Sequence, residues 1–307
     1  MNILFTNAGR RTYIIDYALQ LKGIKIFVTE TDKYSPVAMY DRVHKFSTIK
    51  VSDSPKKYLK QIFNIVKREN IKKVIPLSDF DLIILAKNKK FFFKNGCNVI
   101  ISDVNIVKKC INKKLMYQHC VKNQINTPES FFSKNARLKK NQIFLKKKIE
   151  GSGGEGMEIL KKKSDISKIN FKNFFIQKKI KGEEYGADIF SMQKNNFRIC
   201  IKKKILMRSG ETDRSVIVAD KKIFNFCKKI KEYFPTHGNL DCDIIKDKNG
   251  RLYLIDLNPR FGGGYPATHE AGFKFLYFLL KKKFKVPKMP VKKIVSKGIN
   301  ILSKKIK

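Results

Sequence analysis

Residues 239–260 run Asn-Leu-Asp-Cys-Asp-Ile-Ile-Lys-Asp-Lys-Asn-Gly-Arg-Leu-Tyr-Leu-Ile-Asp-Leu-Asn-Pro-Arg. Asn249-Gly250 between two apolar-alternating runs is a strong local signal for a β-hairpin, so the flanking runs are expected to be antiparallel neighbours. The side-chain period of two then puts Asp241 and Asp243 on one face of the first strand, and Asp256 and Asn258 on one face of the second. Three carboxylates and an amide oxygen converge across the hairpin. Like charges that close repel unless a cation lies between them. Hard oxygen donors suit Mg2+, which takes one or two carboxylates together with substrate phosphates. Arg260 at the strand end is placed to clamp a phosphoryl oxygen. Leu240, Cys242, Ile244 and Leu257 interleave with the acids and argue for a half-buried metal site over a solvated acidic hairpin.

The rest of the 307 residues alternates by domain. In the first hundred, β-type runs (Asn2 to Thr6, Lys25 to Thr29, Lys73 to Leu77, Asn98 to Ser102) alternate with helical ones (Thr12 to Leu21, Pro55 to Glu69, Asp79 to Lys90). This predicts a parallel sheet covered by helices, a Rossmann-like architecture over 1–103. The loop Asn7 to Arg11 after the first strand lacks G-x-G-x-x-G and reads as a tight turn as readily as a phosphate loop. Asp79 and Asp81 fall at the carboxyl end of a strand, where ligands collect, though Asp79 suits equally the N-cap of the next helix. A helical pair follows from Val104. Beyond it, antiparallel α+β segments are expected in two lobes, 104–183 and 184–285, with helices at Asp220 to Tyr233 and Pro266 to Lys283. The Lys-rich stretch 286–307 reads as a loosely docked end.

Lys and Arg number 67 against 26 Asp and Glu, a formal charge of +41. The excess is mostly Lys and is spread along the chain, with neither a localised stripe nor a recognition motif, so no specific nucleic-acid partner is expected. The longest apolar runs, Leu82 to Ala86 and Phe275 to Leu280, are far shorter than the roughly 20 residues of a bilayer span. The first ten residues carry their charge after the apolar run, the reverse of a secretory signal, which places the protein in the cytoplasm with no membrane partner. Six scattered cysteines with no C-x-x-C pair read as reduced, packed thiols.

Two further segments carry chemistry. The β-run ending at Lys147 leads into Glu150-Gly151-Ser152-Gly153-Gly154-Glu155-Gly156 and a second β-run, a glycine-rich hairpin whose N–H groups can approach an anion. It lacks the Gly-Lys-Ser/Thr and following helix of a P-loop, and reads alternatively as a plain turn. Gln177-Lys178-Lys179-Ile180-Lys181-Gly182-Glu183-Glu184 is a strand, a polar connector and a second strand, which offers main-chain groups for an adenine and a carboxylate for ribose.

Taken in order, these segments resemble the ATP-grasp superfamily, in the branch similar to the carbamoyl-phosphate synthase large subunit. The resemblance runs to about Lys281 and is most specific in Ile255-Asp256-Leu257-Asn258-Pro259-Arg260-Phe261-Gly262-Gly263-Gly264-Tyr265-Pro266. It implies a Rossmann-like pre-grasp domain followed by a two-lobed grasp fold. It implies that Lys113 (in Asn112-Lys113-Lys114) and Lys147 contact ATP phosphates, and that the lid of Gly151, Ser152, Gly153, Gly154 and Gly156 closes over them. Gln177 precedes the connector Lys178, Lys179 and Ile180, which would face adenine, and Glu184 would bind ribose. Asp243, Asp256 and Asn258 would hold Mg2+ or Mn2+, with Asp241 an alternative to Asp243 on the same face, and Arg260 would contact the transferring phosphoryl group. Lys148, Lys178 and Asp256 depart from the family's usual Pro, Glu and Glu. The implied activity is amide formation through an acylphosphate between a small carboxylate and an amine, by a chain that resembles single-grasp ligases and pairs as a homodimer. Arg208 and Arg214, beside Ser209-Gly210-Glu211, and the Gly262 to Gly264 loop are candidate substrate contacts, and His269 is more readily a packed residue than a base. Two other readings stay open on sequence: a nucleotide-binding regulator without turnover, and a basic binder of nucleic acid or a membrane surface with salt-sensitive affinity.

Overall fold

The computed structural model describes residues 1–136, 138, 142–151, 154–160, 163–193, 196–280 and 293–298. The N-terminal strands are nearly continuous apolar runs such as Ile3-Leu4-Phe5 and Ile26-Phe27-Val28, a pattern that requires cover on both faces. They form a five-stranded parallel sheet of β1 (Asn2–Thr6), β2 (Lys25–Glu30), β3 (His44–Ser47), β4 (Lys73–Pro76) and β5 (Asn98–Val99), in the order β3-β2-β1-β4-β5. Helices α2 (Pro55–Arg68) and α3 (Leu82–Lys94) cover the face that carries Leu4, Phe27 and Val74. Helix α1 (Thr12–Leu19) covers part of the other face, with Ile3, Phe5 and Val28. Strand β3 has little apolar content and pairs on one side only, so alternation did not announce it. The helix expected from Asp79 starts at Leu82, because Asp81 takes the N-cap position and Asp79 turns to a partner in the C-terminal half. Ladder pairing at β5 stops at Val99, short of Ser102.

After α4 (Val104–Ile111) and α5 (Lys113–Lys122) comes a four-stranded sheet of β6 (Ser130–Phe131), β7 (Phe144–Lys148), β8 (Glu158–Leu160) and β9 (Phe174–Lys178), ordered β6-β9-β7-β8. The larger sheet holds β10 (Gly182–Gln193), β11 (Asn196–Arg208), β12 (Glu211–Val218), β13 (Gly238–Asp247), β14 (Leu252–Asn258) and β15 (Ile294–Ser296), ordered β14-β13-β10-β11-β12-β15 and antiparallel throughout. Helix α6 (Lys221–Tyr233) packs on one face of it through Ile223, Cys227 and Ile230, against Leu240, Cys242 and Leu254. Cys110, Met116 and Cys120 of α4 and α5 join the same cluster, so these helices pack on the six-stranded sheet, while Tyr117 of α5 also meets Phe132 beside the small one.

The single helix expected over Pro266 to Lys283 is two short ones, α7 (Tyr265–Glu270) and α8 (Phe275–Leu279), broken at Gly272 (φ +92°). Both pack into the cluster that contains Ile3, Phe5 and Ile14, so one apolar core joins the N-terminal sheet to the C-terminal half. The C-terminal stretch is not simply docked: Ile294 to Ser296 add an edge strand beside Arg214 to Val216. Residues 281–292 and 299–307 of that stretch lie outside the described residues.

Candidate functional site

Strand pairing brings the hairpin acids into two rows. Asp241 stands opposite Asn258 on β14 and Asp188 on β10, while Asp243 stands opposite Asp256 and Gly186. Strict alternation would put Leu254 and Asp256 on one face. A bulge resolves the conflict: the register steps from Asp243↔Asp256 to Ile244↔Leu254, which leaves Ile255 unmatched. Leu252 and Leu254 therefore face α6, and Asp256 and Asn258 face the opposite side. The connecting turn spans Lys248 to Gly250, with Gly250 at φ +73° and the Asp247 carboxylate accepting from the N–H groups of Asn249 and Arg251.

The acids open onto a cavity of about 870 Å3 that reaches from Glu150, Gly151 and Glu155 to the carboxyl ends of the N-terminal strands at Asn7 to Arg11, Glu30 to Asp32 and Ser78 to Phe80. Cations answer most of its carboxylates. Lys113 lies 3.2 Å from Asp256 and Lys204 2.6 Å from Asp243. Lys202 pairs with the fully buried Asp188, which also accepts from Thr268 and Asn239. Burial disfavours the Lys204 charge, but Asp243 outweighs it and the pKa rises. Lys202 reaches across Gly186, where an added Cβ would lie 2.9 Å from its Cε.

Arg260, nearly buried, forms a bidentate pair with Asp79 of the first domain at 2.9 and 2.8 Å and donates to Asn258 Oδ1 at 3.2 Å. Burial alone would raise the Asp79 pKa, yet the Arg260 charge and its hydrogen bonds hold the carboxyl below its usual range. From the same domain, Arg11 donates to Leu77 O and faces Arg260, with its Nε buried and unpartnered among the described residues. The Tyr13 hydroxyl donates to Gly262 O at 3.3 Å. Sequence reasoning placed Asp79 at a strand end where ligands collect and weighed the loop to Arg11 as a phosphate site, but missed Tyr13 and these pairings, because the partners lie up to 249 positions away.

At the glycine-rich end of the cavity, Lys113 at the start of α5 donates to Gly151 O at 2.9 Å, under an Asn112 cap that accepts from Leu115 N. Gly151, Gly154 and Gly156 all have positive φ. Ser152 and Gly153 lie outside the described residues. Lys147 donates to Gln177 at 3.0 Å, and its pKa is lowered by burial against the pull of Asp256. Lys147, Gln177 and Glu184 are not among the cavity's lining residues; Glu184 lies close enough to Lys147 and Lys204 to act on both charges. In the connector, the N–H groups of Lys178 and Lys179 donate to Glu129 O and Ile143 O.

Arg208 is also corrected. Irregular pairing near the end of β11 leaves it half-exposed on Asp213 at 3.2 Å and off the cavity, whose wall there is Met207, Ser209, Gly210 and Glu211. Arg214 bonds Ser296 on the edge strand. His269 is buried and stacked on Tyr17 with ring centroids 3.6 Å apart, and burial lowers its pKa to about 3, so it packs as a neutral ring.

For a divalent cation, the donors Asp243, Asp256 and Asn258 are all hard oxygens, and their negative charge is met by two ammonium groups where a metal would meet it. Among the described residues no group of three or more His, Cys, Asp or Glu is placed to hold a metal unaided. Two carboxylates and an amide fit Mg2+, which completes its shell with water and phosphate. No helix among the described residues is long and apolar enough to cross a membrane.

Residues 110–264, just over half of the chain, match a family model described as an ATP-grasp domain, and residues 3–100 match one described as a PylC-like N-terminal domain. No curated protein matches the chain at a significant level. Among solved structures, the L-amino acid ligase of Bacillus licheniformis superposes with a TM-score of 0.72 at 16% identity, covering 91% of this chain and 73% of that one. The biotin carboxylase domain dimer of Hydrogenobacter thermophilus 2-oxoglutarate carboxylase, solved with MgADP and bicarbonate, gives 0.71 at 13% identity, with 91% and 68% covered. N5-carboxyaminoimidazole synthetase of Staphylococcus aureus, solved with ADP, gives 0.68 at 14% identity, with 88% and 73% covered. These likenesses establish the fold, and together with the match over residues 110–264 they make this chain a member of the ATP-grasp family.

Proposed function

We propose that the chain is an ATP-dependent carboxylate–amine ligase that works through an acylphosphate on small-molecule substrates in the cytoplasm. The observation that carries this reading is the opposed pair Asp243 and Asp256, with Asn258 and Arg260 beside it, at one end of a cavity that continues to the first domain. In this reading Lys113, Lys147 and the glycine lid from Gly151 to Gly156 cradle the ATP phosphates. The backbone around Lys178 to Ile180 borders the adenine, and Glu184 takes the ribose. Asp243, Asp256 and Asn258 hold Mg2+, or Mn2+ in its place, which would neutralise charge on the triphosphate. Arg260, fixed by Asp79, contacts the γ-phosphoryl oxygens as the substrate carboxylate attacks; ADP leaves and the acylphosphate forms. The amine then displaces phosphate to give the amide. The likeness to an amino acid ligase supports C–N bond formation, and a likeness to a domain dimer supports a homodimer.

The test is ADP release from Mg·ATP with pooled carboxylates and hydroxylamine as a generic amine. A hydroxamate that depends on one pool and disappears in Asp256→Ala supports the reading. ATP binding with no turnover from any pool turns it toward a non-catalytic regulator, and no ATP binding overturns it.

A further inference from the structure

The cavity's carboxylates show one gap. Asp243, Asp256, Asp79, Glu211 and Glu155 each have a cation: Lys204, Lys113, Arg260, Lys297 and Lys148. Glu30 accepts from Gly9 N, Asp32 from Tyr34 N and Glu150 from Asn112. Asp241 lines the same cavity, and among the described residues it makes neither an ion pair nor a hydrogen bond. Its neighbours across the sheet are Asp188 and Asn258, and the cations that act on it, Lys202 and Arg260, are each bound to another carboxylate.

The backbone beside it is built to leave it free. An added Cβ at Gly262 would overlap the Asp241 carboxylate, and one at Gly263 would lie 2.6 Å from Glu211. The glycine loop therefore lies flat against this carboxylate and covers it without bonding it. Two residues along a strand are about 6.8 Å. Asp241 thus lies one step past the Asp243–Asp256 pair, in the direction of Arg260 and the first domain. Its carboxylate is partly open to the cavity, where a donor from outside the chain can reach it.

We propose that Asp241 receives the protonated amino group of the second substrate and so selects a primary ammonium compound as acceptor. This rests on the ligase reading above and adds to it the charge of the amine. The metal pair faces the nucleotide, Arg260 marks the phosphoryl end, and Asp241, level with Asn258 between them, holds the incoming amine. A charge-assisted hydrogen bond in such a site is worth about 1.5–3 kcal/mol, roughly 10- to 150-fold in affinity.

The experiment measures binding to the full chain in the presence of Mg·ADP, with matched probes: ethylammonium against ethanol, L-alaninamide against L-lactamide, and glucosamine against glucose. At least one ammonium probe is expected to raise the melting temperature of the wild type where its hydroxyl counterpart does not. Asp241→Asn, and Asp241→Ser as a second variant, are expected to weaken that probe at least tenfold with the Mg·ADP shift unchanged. The proposal fails if no ammonium probe shifts the wild type, if the hydroxyl counterparts do as well, or if the variants bind the probes as the wild type does. It fails also if the variants lose the Mg·ADP shift, which would make Asp241 a metal ligand. Absence of a Mg·ADP shift in the wild type itself is a separate result and counts against the ligase reading.

Discussion

Replacing Asp79 with Asn leaves the shape of the side chain and removes the one charge that answers Arg260 across the domain junction. Arg260 is 4% exposed and Asp79 23%, and two hydrogen bonds of 2.9 and 2.8 Å join them. With charge centres about 4 Å apart and an effective dielectric of about 20, the lost attraction is about 4 kcal/mol. Breaking a buried pair by removing one partner typically costs about 3–5 kcal/mol. We expect Asp79→Asn to destabilise by about 3 kcal/mol in urea unfolding at neutral pH, and Asp79→Asn with Arg260→Met to recover most of that, for a coupling of about 2 kcal/mol. The pH dependence has a fixed sign. The folded-state pKa of Asp79 lies below its unfolded value of about 3.9, so its contribution is complete above that pH and fades as pH falls through the folded value. The gap between wild type and variant should be constant from pH 7 to about 5 and should close below about 4. A loss under about 1 kcal/mol at neutral pH, no recovery in the double variant, or a gap that widens in acid would refute the argument.

Lys202→Met strips Asp188 of its cation while Thr268 and Asn239 still bond it; a loss of about 3 kcal/mol is expected, most of it recovered by adding Asp188→Asn, as read from urea midpoints. Gly262→Ala sets a methyl group against the Asp241 carboxylate, and steady-state ADP release should fall at least tenfold while the melting temperature changes little. His269, held neutral with a pKa of about 3, binds its proton more weakly than the unfolded chain does, so it lowers stability as pH falls from about 6.5. His269→Gln should remove a slope of about 1.4 kcal/mol per pH unit over that range, measured by chemical unfolding at successive pH values.

The sequence exposed those parts of the molecule whose signals are local. Alternating runs revealed the parallel sheet, and the Asn249-Gly250 turn with its flanking acids revealed the hairpin and the row in which Asp243 and Asp256 meet. The bulge that re-aims Asp256 has no such signature, because Ile255 looks like any other strand residue. Strand β3 escaped because an edge strand with one partner need not be apolar. The Arg260–Asp79 bond spans 181 positions, and neither residue announces the other. Arg208 misled for a related reason: a cation near a glycine turn suggests an anion site, but irregular pairing at the end of β11 decides which way it faces.

All six cysteines are buried as free thiols, and they divide among three clusters: Cys97 beneath α2 and α3, Cys200 at the junction of the two halves, and the other four under α6. Burial pushes the thiols of Cys97, Cys120 and Cys200 up to about 12, so the reactive thiolate is scarce while the chain is folded. A thiol reagent in native buffer consequently reacts only when a cluster opens. Its rate at Cys97, at Cys200 and at the α6 group reports three separate openings, so the chain carries its own labels for the order in which its parts come loose.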